Sequence, residues 1–242
     1  MHQHLDTYTI KARLAPALII ALPIGMALGS WLPPDQESWG LLSTGINSFV
    51  LMALLSQLAH GPGKRLEKKL FKEWGGMPSA LILSYAHTEL SHISLHRYHT
   101  RLRELIPGIE LPNSADEERN NLDKFMRQYE SASDWLRAAT RDREKFRLVF
   151  AELVNYGYRR NLRGLKPYGI IAWSLGLIVC GLRVLSPILP WSLATSWNWL
   201  AITYTSCCMI MILVWLIVVL KKWVKPVAFQ YGKQLVEAVD LL

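Results

Sequence analysis

The sequence predicts an all-α protein with four transmembrane helices in two hairpins and a cytosolic helical domain inserted between helices 2 and 3. Three observations carry that reading. Four apolar segments, Leu14–Leu32, Trp39–Ala59, Tyr168–Leu185 and Trp199–Leu220, flank a polar stretch at 60–166. Runs of about 18–21 apolar residues match the ~30 Å hydrocarbon core of a bilayer. Charge is segregated: 20 of the 27 Lys and Arg and 14 of the 19 acids lie in 60–166. Within that insert the apolar residues recur at helical spacing, with no sustained alternation of the kind a strand needs.

Charge also sets an orientation. With four spans, Lys11, Arg13, the insert, Lys221, Lys222, Lys225 and Lys233 share one side, while the loops Pro33–Ser38 and Ser186–Asn198 hold no Lys or Arg. Cytoplasmic loops are the ones enriched in basic residues. The expectation is a multi-pass protein of an inner (plasma) membrane, with both termini cytoplasmic. Arg183, at the end of its span, is placed to snorkel, and Trp31, Trp39, Trp191, Trp197 and Trp199 cluster where an outer aromatic belt would lie. The domains read as a hairpin at 1–59, a basic helical domain at 60–166, and a second hairpin with a short cytosolic tail at 167–242. A cleaved signal peptide competes for the first segment, but 19 apolar residues from Leu14 to Leu32 are long for an h-region.

In the first span Ala17, Ala21, Gly25 and Gly29 recur every four residues. Such a stripe lets another helix backbone approach closely, inside one bundle or between copies of the chain. Pro16 and Pro23 bend the same span. Tyr168–Leu185 repeats the device with Gly169, Ala172, Gly176 and Cys180. In Trp39–Ala59, Thr44 and Asn47 are buried polar groups that need partners in lipid, either across to a neighbouring helix or along a hydrated pore. No Asp, Glu, Lys or His falls in the core of any span, which argues against a proton-coupled transporter; a non-selective pore needs only a wet lumen. The three cysteines, Cys180, Cys207 and Cys208, lie within spans and read as small packing residues, with no zinc-site spacing.

The insert begins with a turn and a basic amphipathic helix over Gly61–Lys72. Its Lys64, Arg65, Lys68 and Lys69 face away from Leu66 and Leu70, as in helices that rest on anionic lipid. Gly75, Gly76 and Pro78 break it. A long helix is expected over Ala80–Ile106, stopped by Pro107–Gly108. Ser114 with Glu117 forms a capping box for the next helix, along which Leu122, Phe125, Met126, Tyr129, Leu136 and Ala139 share a face. A further helix is expected over Arg143–Tyr158.

Two groups of residues could carry chemistry. His92, His96 and His99 lie on one helical stripe, where imidazoles at i and i+4 can share a zinc ion. Three ligands from one helix close a tetrahedron poorly, so ordinary histidines are expected, with no metal or cofactor. Arg159, Arg160, Arg163 and Lys166, with Tyr156, Tyr158 and Tyr168, form a basic and aromatic collar running into the third span. That pattern suits single-stranded nucleic acid, but beside a membrane it fits lipid headgroups, and nucleic acid is not the expected partner. No phosphate loop, nucleophile elbow or acidic metal cluster is present, so an enzyme is not the expected reading; a metal-dependent membrane enzyme built around His92, His96 and His99 is the last-ranked alternative.

Four segments, Trp74–Gly75–Gly76–Met77–Pro78, Arg97–Tyr98–His99, Tyr129–Glu130–Ser131–Ala132 with Trp135–Leu136–Arg137, and Asn155 to Asn161, resemble a group of bacterial multi-span membrane proteins. After the proline that group has threonines and a charged helix, where this chain has Ser79–Ala80–Leu81–Ile82. The architecture is similar to that of membrane subunits of anti-phage systems. The resemblance implies a self-associating membrane protein whose cytosolic domain receives a partner or signal, as a pore-type subunit or else as a static anchor for a cytosolic enzyme.

Overall fold

The computed structural model describes residues 8–31, 61–188 and 198–242, and every regular element among them is helical. The expected span Trp39–Ala59, with Thr44 and Asn47, lies outside the described residues. Three described helices are long and apolar enough to cross a membrane: Thr9–Ser30, Lys166–Ile188 and Trp199–Ile217. The chain divides into two compact units, Met1–Leu66 with Gly157–Trp223, and Glu67–Tyr156 with Val224–Leu242.

In the first unit a π-helical turn, Thr9–Leu14, runs into α1, Ala15–Ser30. Two prolines shape this segment. Neither Pro16 nor Pro23 has an N–H, so neither can donate to the carbonyl four residues back, at Ala12 and Ile19. Both carbonyls are bonded from elsewhere in the chain. Asn161 Nδ2 donates to the Ala12 carbonyl at 2.8 Å, and Trp173 Nε1 donates to the Ile19 carbonyl at 3.1 Å. Asn161 belongs to α7, Arg147–Gly164, and Trp173 to α8, Lys166–Leu185. For the Ile19 carbonyl, deep in an apolar helix of membrane length, such a bond has no ready substitute.

Around them the unit packs closely. Ala17 and Ala21 are fully buried and Gly25 is buried, while a side-chain carbon on Gly29 would meet Tyr204 at 3.7 Å. Much of the small-residue stripe is thus covered within the chain. On α8 a carbon added to Gly176 would lie 2.8 Å from Pro23, and one on Gly169 would lie 2.5 Å from the Trp215 ring of α9, Trp199–Ile217. Ile20, Leu162, Leu165, Trp173, Cys208, Trp215 and Val219 form the buried core. Large apolar side chains point outward instead: Leu18, Leu22 and Leu28 from α1, Ile171, Leu175 and Ile178 from α8, Ile210, Leu213 and Ile217 from α9. This inside-out distribution suits helices solvated by lipid.

The second unit starts within α2, residues 61–74. Gly75 follows at φ +86°, a left-handed conformation that ends the helix. Pro78 then opens α3, Pro78–Ile82. The long helix expected over Ala80–Ile106 is interrupted: α3 stops at Ile82 and α4 begins only at His92, ending at Leu105. Ser91 starts α4 by accepting the Ser94 N–H at 3.2 Å, and the backbone of Tyr85 is drawn to Glu118 instead of into a helix. Ser114 caps α5, Ala115–Asn120, by accepting the Glu117 N–H at 3.2 Å; the Glu117 carboxylate accepts from Asn113 N at 2.8 Å, not from Ser114. The chain bends at Asn121 and resumes as α6, Leu122–Ala139. The helix expected from Arg143 begins at Arg147, because Asp142 Oδ1 holds the N–H groups of Glu144 and Lys145 in a turn.

Residues 224–242, read from the sequence as a short tail, carry much of α10, Lys221–Glu237, and a 3-10 turn, Ala238–Leu241. Phe229, Leu235, Val236 and Val239 share one core with Leu83, Leu102, Tyr129 and Leu136. Gly232 permits the close approach of α10 to α3: a carbon there would sit 2.9 Å from the Ser79 nitrogen.

The proline argument makes a checkable prediction. Trp173→Phe should lower thermal stability in detergent, by about 1–3 kcal/mol for the orphaned carbonyl plus the lost packing. Pro23→Ala restores an N–H facing the Ile19 carbonyl, so in the double variant part of that loss should return, a coupling of about 1 kcal/mol in a double-mutant cycle. Strict additivity of the two substitutions would contradict the account.

Candidate anion-binding collar

Arg159, Arg160 and Arg163 occupy an arc of roughly 100° on α7, at 100° per residue, and Lys166 follows as the first residue of α8. The structure separates these four cations. Arg159 donates to the Trp223 carbonyl at 3.1 Å and lies 4.9 Å from the centre of that residue's ring. Lys166 Nζ donates to the carbonyls of Leu216 (3.2 Å) and Val219 (3.1 Å) at the end of α9, where helix carbonyls lack intrahelical partners. Arg160 is buried, its Nε 3.4 Å from Asn161 Oδ1. Arg163 is half-buried, and its Nε is withdrawn from water with no hydrogen-bond partner. Burial holds this guanidinium below its ordinary pKa range.

The neighbouring face of α7 is smooth by necessity. A carbon on Gly157 would lie 3.0 Å from the Tyr8 ring, and one on Gly164 would lie 2.8 Å from the backbone nitrogen of Gly63. The first approach brings the π-helical turn, with Arg13, against α7, and the second brings the start of α2. The Arg13 guanidinium lies 5.5 Å from the centre of the Tyr8 ring, and its Nε is likewise buried without a hydrogen-bond partner. No Asp or Glu occurs among the described residues of the first unit; its Asp6, Asp35 and Glu37 lie outside them.

The collar's aromatics are mostly engaged. Tyr158 packs edge-on against Trp223. Tyr156, in the second unit, donates to Glu67 at 2.7 Å and stacks on Tyr231. Tyr168 alone of the three is exposed. On α2, Lys64, Arg65, Lys68 and Lys69 are exposed while Leu70 is fully buried, the amphipathic division expected of that helix.

The histidine stripe does not converge. His92 and His96 are exposed, whereas His99 is fully buried. His99 Nε2 lies 2.8 Å from the Leu83 carbonyl and Nδ1 lies 3.2 Å from that of Pro112. Arg103 already donates to the Pro112 carbonyl at 3.0 Å. The neutral tautomer with its proton on Nε2 is therefore favoured, and that nitrogen is committed to Leu83. No group of three His, Cys, Asp or Glu among the described residues is arranged to hold a metal ion.

Beside His99 is a residue whose importance the sequence hides. Glu118, one of three consecutive acidic positions at a helix start, is only 2% exposed. Its carboxylate accepts from the Ser84 hydroxyl, from Tyr85 N at 2.7 Å and from the Tyr129 hydroxyl at 3.1 Å. The network ties the 83–85 turn to α5 and α6, and burial beside Glu118 raises the Tyr129 pKa. Asn161 was equally unmarked, although Gly157 four residues before it and Gly164 three after are the signal of a backbone packed close to that face.

Comparison with models of known families, with curated proteins and with solved structures finds no match.

Two outcomes follow for the second unit. Glu118→Gln should destabilise it by about 1–3 kcal/mol in denaturant unfolding, because an amide NH₂ replaces one oxygen of a buried charged acceptor and a hydroxyl must turn to accept from it. Burial lowers the His99 pKa from its ordinary 6.5, against the opposing pull of the Leu83 and Pro112 carbonyls; Arg103 lowers it and Glu118 raises it, with Tyr85 and Tyr129 packed on the ring. The unfolded chain then binds a proton near pH 6.5 that the folded chain refuses. Stability should be full above that pH and fall progressively below it. His99→Gln should flatten this part of the pH profile of unfolding; an unchanged slope would remove His99 as its source.

Proposed function

We propose that this chain is a non-enzymatic, self-associating protein of a bacterial inner membrane, multi-pass with both termini cytoplasmic. Its second unit receives a cytosolic protein partner or signal and relays it to the membrane helices; a pore-type subunit in anti-phage defence is the specific form we favour. The observation that carries the reading is the contrast between the two units. One turns large apolar side chains outward from three membrane-length helices; the other encloses its own core, built from both the insert and the chain's last residues.

One observation favours the alternative, a static membrane anchor for a cytosolic enzyme. Ala17, Ala21 and Gly25 are buried within a single chain, so they leave little of the stripe for a second copy.

Membrane potential separates the two. Expression of the pore-type protein should depolarise cells, and Gly25→Leu, which disrupts close helix packing, should abolish the effect. Potential that stays normal at high expression selects the anchor. Single-cysteine labelling near Arg119 in intact cells and in opened membranes checks orientation: reagent that reaches this position from the periplasm overturns it.

A further inference from the structure

The cations of the first unit are not equivalent. Arg159 and Lys166 each donate to main-chain carbonyls at the α9–α10 corner. Arg163 shares their side of α7 and is close enough to Lys166 for the like charges to interact. Its Nε is shut from water without a hydrogen-bond partner, and no acid is present among the unit's described residues. The guanidinium is half-buried, with that one nitrogen dry and no counter-charge beside it, which is unfavourable. Nothing described in the chain supplies the missing anion.

Depth and geometry narrow what does. Arg163 lies three residues before Lys166, where the membrane-length helix Lys166–Ile188 begins. That is headgroup level if the helix spans the bilayer. A guanidinium presents a rigid planar fork of donors that matches a phosphate oxyanion, and it is less strongly hydrated than an ammonium. Lys166 uses two of its three donors on carbonyls, and the structure records a single carbonyl bond from Arg159, so both retain capacity to flank the same anion. The exposed Lys221 and Lys222 stand at the start of α10, beside Trp223.

We infer that Arg163, flanked by Arg159 and Lys166, binds the phosphate of an anionic phospholipid headgroup at the basic face of the membrane. The site rests on the membrane reading proposed above and on none of the partner or pore claims. It differs from the exposed cations of α2, which offer only diffuse attraction to a negative surface.

The test uses the full chain in nanodiscs of phosphatidylcholine with or without phosphatidylglycerol, extracted into detergent and weighed by native mass spectrometry. The wild type should retain phosphatidylglycerol in preference to phosphatidylcholine. R163Q should lower that retention about tenfold, the scale of one charge-assisted contact. R163K, which keeps the charge and loses the fork, should fall between. The double variant R65Q/K69Q, which removes only diffuse attraction, should lose far less than R163Q. Equal retention by R163Q, or an equal loss in R65Q/K69Q, overturns the site. Displacement of the lipid by inorganic phosphate keeps phosphate as the ligand and overturns its assignment to a headgroup.

If R163Q does not fold, the wild type answers alone. Phosphatidylglycerol nanodiscs should protect Arg163 from phenylglyoxal where phosphatidylcholine nanodiscs do not, and equal modification in both overturns the site. A chain that fails to enter membranes defeats the membrane reading itself, whereas an inserted chain indifferent to phosphatidylglycerol defeats only this inference.

Discussion

Backbone carbonyls that prolines leave without a helical donor are the constraint on which the first unit depends. Pro16 and Pro23 would be liabilities in an isolated helix, since each removes a backbone donor. Here Asn161 and Trp173 reach across to the Ala12 and Ile19 carbonyls. Each bond works only if the π-helical turn lies directly against α7 and α1 against α8, and Gly157 and Gly176 are what allow those distances. Proline, glycine and polar side chain thus act as one device: losing the polar side chain or the glycine strands the carbonyl, whereas replacing the proline restores a donor to it.

The second unit solves a comparable problem by other means. Its core contains a glutamate and a histidine, groups that are costly to bury unless fully bonded. Glu118 collects three donors, and His99 gives its proton to the carbonyl of Leu83. Leu83, Ser84 and Tyr85 lie where a helix was expected, so these bonds hold the interruption between α3 and α4 in place. A network of this kind confers a defined geometry more than it adds net stability. It also withdraws His99 from ligand chemistry, since the ring is fully buried and its other nitrogen faces the Pro112 carbonyl.

Against that background the first unit's cations stand out for what they lack. In the second unit basic residues find acids, as Arg97 does with Asp240 and Arg101 with Glu104. Such exposed pairs contribute little each, yet they show the ordinary fate of a cation in this chain. Around Arg159 and Lys166 the recorded acceptors are carbonyls, with the Trp223 ring beside Arg159, and among the described residues of this unit there is no acid. That arrangement suits an anionic surface better than a self-contained fold.

The sequence by itself determined the helical class, three of the apolar segments that become membrane-length helices, the break at Gly75–Pro78, the Ser114 cap and the amphipathic division of α2. All of these follow from local rules: length of apolar run, periodicity, and the backbone preferences of glycine, proline and serine. Tertiary structure alone decided which cation of the collar is left unanswered, that Glu118 rather than Glu117 is buried, that His99 turns away from His92 and His96, and that the chain's last residues complete the core of the insert. These depend on donors and acceptors brought together across long stretches of chain, such as Asn161 with Ala12 or Ser84 with Glu118. No periodicity within one helix encodes where a partner on another will fall.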